Sequence, residues 1–215
     1  RVPVLVGVVV VTIALELLWR RLVDRPAADV EAPIVAADGT RALDELVDHL
    51  VTTGRRRLAI VTGPDQAGTS RERLGAFRAA IARHGLDLPE ERVRHGDFRA
   101  DSGYAALAAL RGADQAPDAV LVANGPMALG ALRFLAEQPY SPAIVPSELA
   151  LAVFDDLPWF SLLRPSLTAI EQPTARLGDR AMRMLLALIA GEHVADEHIP
   201  CRLVLRESTN PRRTA

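Results

Sequence analysis

Polar side chains stand behind four short apolar runs: Asp24 after Leu22-Val23, Asn124 after Val120 to Ala123, Asp155 after Ala150 to Phe154, and Gln172 behind Leu167 to Ile170. If those runs are strands of an open parallel sheet, residues at their carboxyl ends line the crevice where such sheets bind ligands. Carboxylates and amides have fixed donor and acceptor roles, and an arginine adds a planar fork for oxygens. The set suits a small ligand rich in hydroxyls. Taken singly, an Asp or Asn behind a strand is an ordinary turn former or helix cap, so the recurrence carries the weight.

Other chemistries lack an anchor. His49, His84, His95, His193 and His198 fall in separate segments without paired-ligand spacing, so no metal site is expected. Ser70 is outside any G-x-S-x-G elbow, and the loop Gly63 to Ser70 lacks the lysine of a phosphate loop. With no positioned nucleophile or acid-base pair, the chain is not expected to be an enzyme, and no cofactor is implied. Arg55-Arg56-Arg57 is expected to be a solvated helix end that complements the helix dipole.

These residues need strands and helices to hold them, and the sequence alternates the two. Strand-like runs Ile34 to Ala36, Leu58 to Val61, a short one from Val93, Ala119 to Ala123, Leu149 to Phe154 and Ile199 to Leu205 are separated by amphipathic segments. Leu43, Leu46, Val47, Leu50 and Val51 recur at helical spacing. Further helices are predicted with Leu74, Phe77 and Ile81, over 101–110, over 127–137 and over 174–190, and a frayed polar tail from Arg206. Such alternation is the signature of an α/β fold with parallel sheets. The N-terminus stands apart: Val2 to Trp19 is apolar except for Thr12 and Glu16, and would span about 27 Å as a helix. Glu16 and the run Val4 to Val11 favour a buried strand over a membrane span.

The balance of 25 Lys+Arg against 27 Asp+Glu in 215 residues gives a net charge of -2, which argues against a domain that grips nucleic acid by itself. The single Cys201 excludes an intramolecular disulfide.

Several motifs carry a family resemblance. Thr69-Ser70-Arg71-Glu72-Arg73-Leu74-Gly75-Ala76-Phe77, Gly96-Asp97-Phe98, Val122-Ala123-Asn124-Gly125-Pro126-Met127-Ala128-Leu129-Gly130, Phe154-Asp155-Asp156 with Pro158-Trp159, and Pro165 to Pro173 resemble the regulatory core of the LacI/GalR transcriptional regulators, in order, over about residues 22–208. The resemblance implies a periplasmic-binding-protein-like α/β fold, type I, of two parallel-sheet lobes around a ligand cleft. It implies a partial first-lobe segment over 1–38, the remainder of the effector-binding core over 39–208, and a polar tail over 209–215. Site roles follow by position: Arg73 and Thr69 on the helix that opens the effector site, Phe98 against the flat face of a sugar or base, Asn124, Asp155 and Gln172 as polar contacts, and Asp24 as an acidic contact from the first lobe.

The implied function is effector sensing and dimerisation in a cytoplasmic regulator. Its small-molecule effector would be a sugar or related metabolite, and operator DNA would be reached only through a helix-turn-helix head that this sequence lacks. An exported or membrane-tethered solute-binding protein of a sugar transporter is the alternative. Two departures stand out: Asn124-Gly125 replaces the family's usual Asn-Asp, and the opening strand and Leu22-Val23-Asp24-Arg25-Pro26 lie closer together than in the family, so that the first lobe reads as incomplete.

Overall fold

The computed structural model describes residues 33–138 and 144–210. Asp24 and the apolar N-terminal run lie outside the described residues. Among those described, no helix is long and apolar enough to cross a membrane. The chain divides into two compact units, one holding residues up to Asp38 together with Pro173–Ile199, the other Gly39–Gln172 with the residues from Pro200 onward.

The larger unit is built on a six-stranded sheet. Its strands are β2 (Leu58–Thr62), β3 (Val93–His95), β4 (Ala119–Val122), β5 (Ala150–Phe154), β6 (Thr168–Glu171) and β8 (Arg202–Val204), in the order β3-β2-β4-β5-β6-β8. Pairing is parallel from β3 to β6, with Leu58 opposite Ala119, Ala119 opposite Ala150 and Phe154 opposite Ile170; β8 closes the edge antiparallel to β6. The central strands are apolar throughout because both faces are covered. Ala59, Val61, Val120, Val122, Leu151 and Val153 pack with α3 (Ala100–Arg111) and α4 (Gly125–Ala136) in one cluster. The alternate residues Leu58, Ile60, Leu121 and Phe154 point to the other face. There α1 (Thr40–Thr52) buries Leu43, Leu46, Val47 and Leu50, and α2 (Gly68–Arg83) buries Phe77, Ala80 and Ile81.

In the smaller unit the described residues form β1 (Val35–Asp38), α5 (Thr174–Ile189) and β7 (Glu197–Pro200), with β1 and β7 paired. Leu177, Ala181 and Met184 recur at helical spacing and pack on Val35 and Ile199. Arg180 clasps Glu197, and Asp196 Oδ1 accepts from the Ile34 N–H at 2.8 Å.

Three expectations change. The predicted final strand, Ile199 to Leu205, is two strands in two sheets, β7 and β8. The apolar pattern is continuous across Cys201, but the pairing partners are not. The tail expected to fray from Arg206 is instead a latch up to Thr209: Ser208 and Thr209 are fully buried. Ser208 Oγ accepts from the Thr168 N–H at 2.8 Å, and Thr209 Oγ1 lies 2.7 Å from Thr168 Oγ1. Polar side chains go inside here because each finds a partner contributed by a distant segment. Finally, of the three arginines expected at a solvated helix end, exposed Arg56 does meet the helix end, donating to the Val51 carbonyl at 2.7 Å, but Arg55 does not. Its guanidinium donates to the carbonyls of Pro146, Ser147 and Glu148, while Arg57 pairs with Asp118.

The latch makes one pH prediction. His49 Nε2 lies 3.0 Å from Thr209 Oγ1. Partial burial lowers the His49 pKa from its ordinary 6.5, against a smaller upward pull from a hydrogen bond with the Thr209 backbone. A depressed histidine favours folding while neutral, so its contribution is complete above the unfolded value and is lost as pH falls through the folded one. Melting temperatures measured from about pH 7 down to about pH 5 should decline less steeply in His49→Gln than in the wild type.

Candidate functional site

The carboxyl ends of β2, β4, β5 and β6 lie side by side in the larger unit, and the sequence candidates within the described residues gather there. Thr69 and Arg73 are one turn apart in the first half of α2, and therefore on one helix face. Arg73 Nη1 donates to the Ala123 carbonyl at 2.7 Å, and its guanidinium lies over the Phe154 ring, 3.8 Å from the centroid. Ser70, beside Thr69, is buried, and its Oγ has no protein hydrogen-bond partner among the described residues.

Phe98 leads into α3 with φ 66°, a left-handed conformation rare for a bulky residue. Strain of this kind is of order 1–3 kcal/mol and persists only where neighbours hold it. Here Asn124 Nδ2 donates to the Phe98 carbonyl at 3.1 Å. The ring lies so near Gly63 that a Cβ there would fall 2.1 Å from Phe98 Cζ. Asn124 also caps α4, its Oδ1 accepting from the Met127 N–H at 2.9 Å. The amide expected to face a ligand is thus already bonded at both ends to backbone.

Asp155, at the end of β5, is also left-handed, with φ 83°. Its carboxylate accepts from Gln172 Nε2 and from the Gly125 N–H, and Arg73 stands nearby. Burial pushes the carboxyl above the usual range, and the Gln172 bond, the Arg73 charge and the Gly125 N–H pull it part of the way back. Ala123, Asn124 and Gly125 therefore hold Arg73, Phe98 and Asp155 in turn. That hub is invisible in the sequence, because its bonds to Arg73 and Asp155 run through backbone atoms. Behind it Asp156 receives a bidentate grip from Arg206 at 2.8 and 2.7 Å. The partner of Asp156 lies in the segment expected to be a frayed tail.

At Gly125 an added Cβ would fall 2.7 Å from Leu157 Cδ1, so the isobutyl group of Leu157 occupies the space a larger residue would need there.

A family model described as a periplasmic binding protein-like domain matches residues 47–209. The chain belongs to that family. Its curated relatives include the HTH-type transcriptional repressor CytR of Escherichia coli (strain K12), 31% identical over 185 residues that make 85% of this chain and 53% of the relative. The HTH-type transcriptional regulator CelR of Thermobifida fusca is 37% identical over 75% of this chain and 45% of its own. The chain thus spans about half the length of the curated relatives it matches. A LacI-family regulatory protein from Chloroflexus aggregans superposes with a TM-score of 0.76 at 26% identity, covering 85% of this chain and 65% of the other. A CelR–cellobiose complex gives 0.76 at 31%, covering 86% and 57%. The resemblance to LacI/GalR regulators read from the motifs holds, and with it the periplasmic-binding-protein-like α/β fold.

In this periplasmic-binding-protein-like domain a raised Asp155 pKa has a consequence for stability. The protonated form is favoured by the fold, so the contribution is present below the unfolded pKa and is lost as pH rises through the folded one. Asp155→Asn should melt no lower than the wild type at neutral pH, and with a flatter pH profile between about 3 and 7.

Proposed function

We propose that this chain is the effector-sensing and dimerising domain of a cytoplasmic LacI-type transcriptional regulator. It binds a small hydroxyl-rich metabolite, a sugar in the first instance, and through it controls DNA binding by a head domain outside this sequence. Arg73 and Asp155 are the principal polar contacts. Gln172 sets Asp155, Thr69 flanks Arg73, Phe98 offers an apolar ring, and Asn124 holds Phe98; Asp24 would add an acidic contact from the first lobe.

The observation that carries the reading is the Arg73–Asp155 arrangement at the strand ends. A guanidinium and a buried carboxylate held by backbone offer fixed donors and acceptors to vicinal hydroxyls. A ligand that prefers one state of such a domain shifts its population, and that differential affinity is what a linked DNA-binding head would sense.

The test is thermal shift against cellobiose, ribose, glucose, adenosine and cytidine. A genuine effector at about 100 times its Kd should raise the melting temperature by about 5 to 10 °C. Arg73→Ala should abolish that rise. A well-folded sample that responds to no sugar would overturn the sugar assignment, and a rise surviving in Arg73→Ala would remove that residue from the site.

A further inference from the structure

Phe154 belongs to β5 and is 2% exposed, yet it bounds the site on two sides. On its face lies the Arg73 guanidinium, 3.8 Å from the centroid. Against its edge stands Gly39, where an added Cβ would fall 2.8 Å from both Cε2 and Cζ. Gly39 has φ -89° and ψ -4°, an ordinary right-handed conformation, so the backbone does not require glycine. Room for the ring does. Residue 39 is also where the chain passes from the smaller unit into the larger one.

We propose that Phe154 is the positioning residue of the site, one ring that holds the ligand arginine on its face and bears on the Gly39 backbone with its edge. The inference rests on the reading of Arg73 as a ligand contact. A free arginine side chain carries several rotatable bonds whose ordering opposes binding. Here the ring and the Ala123 carbonyl have already ordered it, through one Nη1 bond and one aromatic face. No other protein acceptor meets its remaining N–H groups among the described residues. An aromatic face attracts a guanidinium through the ring quadrupole, and more strongly where water is excluded. Because the ring is 2% exposed, with Gly39 at its edge and Arg73 on its face, a displacement of the backbone at Gly39 moves the ring, and the ring moves the guanidinium. Gly39 and the ligand arginine are coupled through a single buried side chain.

The test combines a ligand-free arm with a ligand arm. In arginine-labelled protein the Nε–H signal of Arg73, assigned by its loss in Arg73→Met, is expected upfield of the other arginines because it lies over the ring. It should return toward the ordinary position in Phe154→Leu and move in Gly39→Ala. Gly39→Ala removes no core side chain and keeps the arm decisive if Phe154→Leu does not fold. Titrated with cellobiose, both variants should bind about tenfold more weakly than the wild type. An Arg73 signal unchanged in both variants would overturn the proposal, as would cellobiose affinity equal to that of the wild type in both. If cellobiose does not bind the wild type, its assignment as effector fails, and the Arg73 signal alone decides the role of Phe154.

Discussion

Gly130→Ala is expected to destabilise the domain by about 3 kcal/mol or more, and Gly103→Ala by a similar amount. The two glycines sit where α3 and α4 cross. A Cβ on Gly130 would fall 1.7 Å from the Ala100 carbonyl oxygen, and one on Gly103 2.1 Å from that of Met127. Both obstacles are backbone, which cannot rotate aside as a side chain would. The helices must separate, and the cluster formed by Leu107, Met127, Ala128 and Ala131 opens with them. Urea unfolding should report the loss as a lower midpoint. Gly75→Ala supplies the control. It lies in α2 with nothing within 4 Å of the added Cβ, so alanine should stabilise by about 0.5 to 1 kcal/mol. Equal effects at positions 75 and 130 would mean that close helix contact is not what glycine supplies at 130.

Arg206→Met should be at least as damaging, at about 3 to 5 kcal/mol. Arg206 and Asp156 are 17% and 13% exposed, and their two parallel bonds are joined by a third from Nη1 to the Leu167 carbonyl at 2.7 Å. Pairing with Asp156 raises the Arg206 pKa against the pull of burial, so the arginine stays charged. Removing it takes both guanidinium bonds from a carboxylate that is only 13% exposed, which is worse than removing both partners. The double variant Arg206→Met with Asp156→Leu should therefore recover part of the loss in a thermal or urea melt. Because Asp156 adjoins Asp155, Arg206→Met should also weaken effector binding. A single variant as stable as the wild type would show that the pair contributes nothing to the latch.

Much of the larger unit was legible in advance. Runs such as Ala119 to Val122 and Ala150 to Phe154 are apolar at every position because helices cover both faces, and that composition is local. Polar residues placed behind those runs could be picked as site candidates for the same reason, since strand ends can be counted along a chain. What could not be read was each candidate's employment. The Asn124 amide suits a ligand contact by its chemistry, yet both of its ends hold backbone, at Phe98 and Met127. Ser208 and Thr209 looked like tail because their partners, Leu151, Thr168 and His49, lie forty or more residues away.

The alternation of strands and helices and the family are written in the order of residues, as are the strand ends at which candidate ligand contacts stand. Period, capping and turn chemistry act over a few residues, and so they survive in one dimension. Tertiary structure alone decided that Ala123, Asn124 and Gly125 grip three different site residues, that Phe154 lies under Arg73, and that the last strand belongs to two sheets. Those facts depend on which distant groups become neighbours, and a buried donor or acceptor takes whatever partner the packing brings to it.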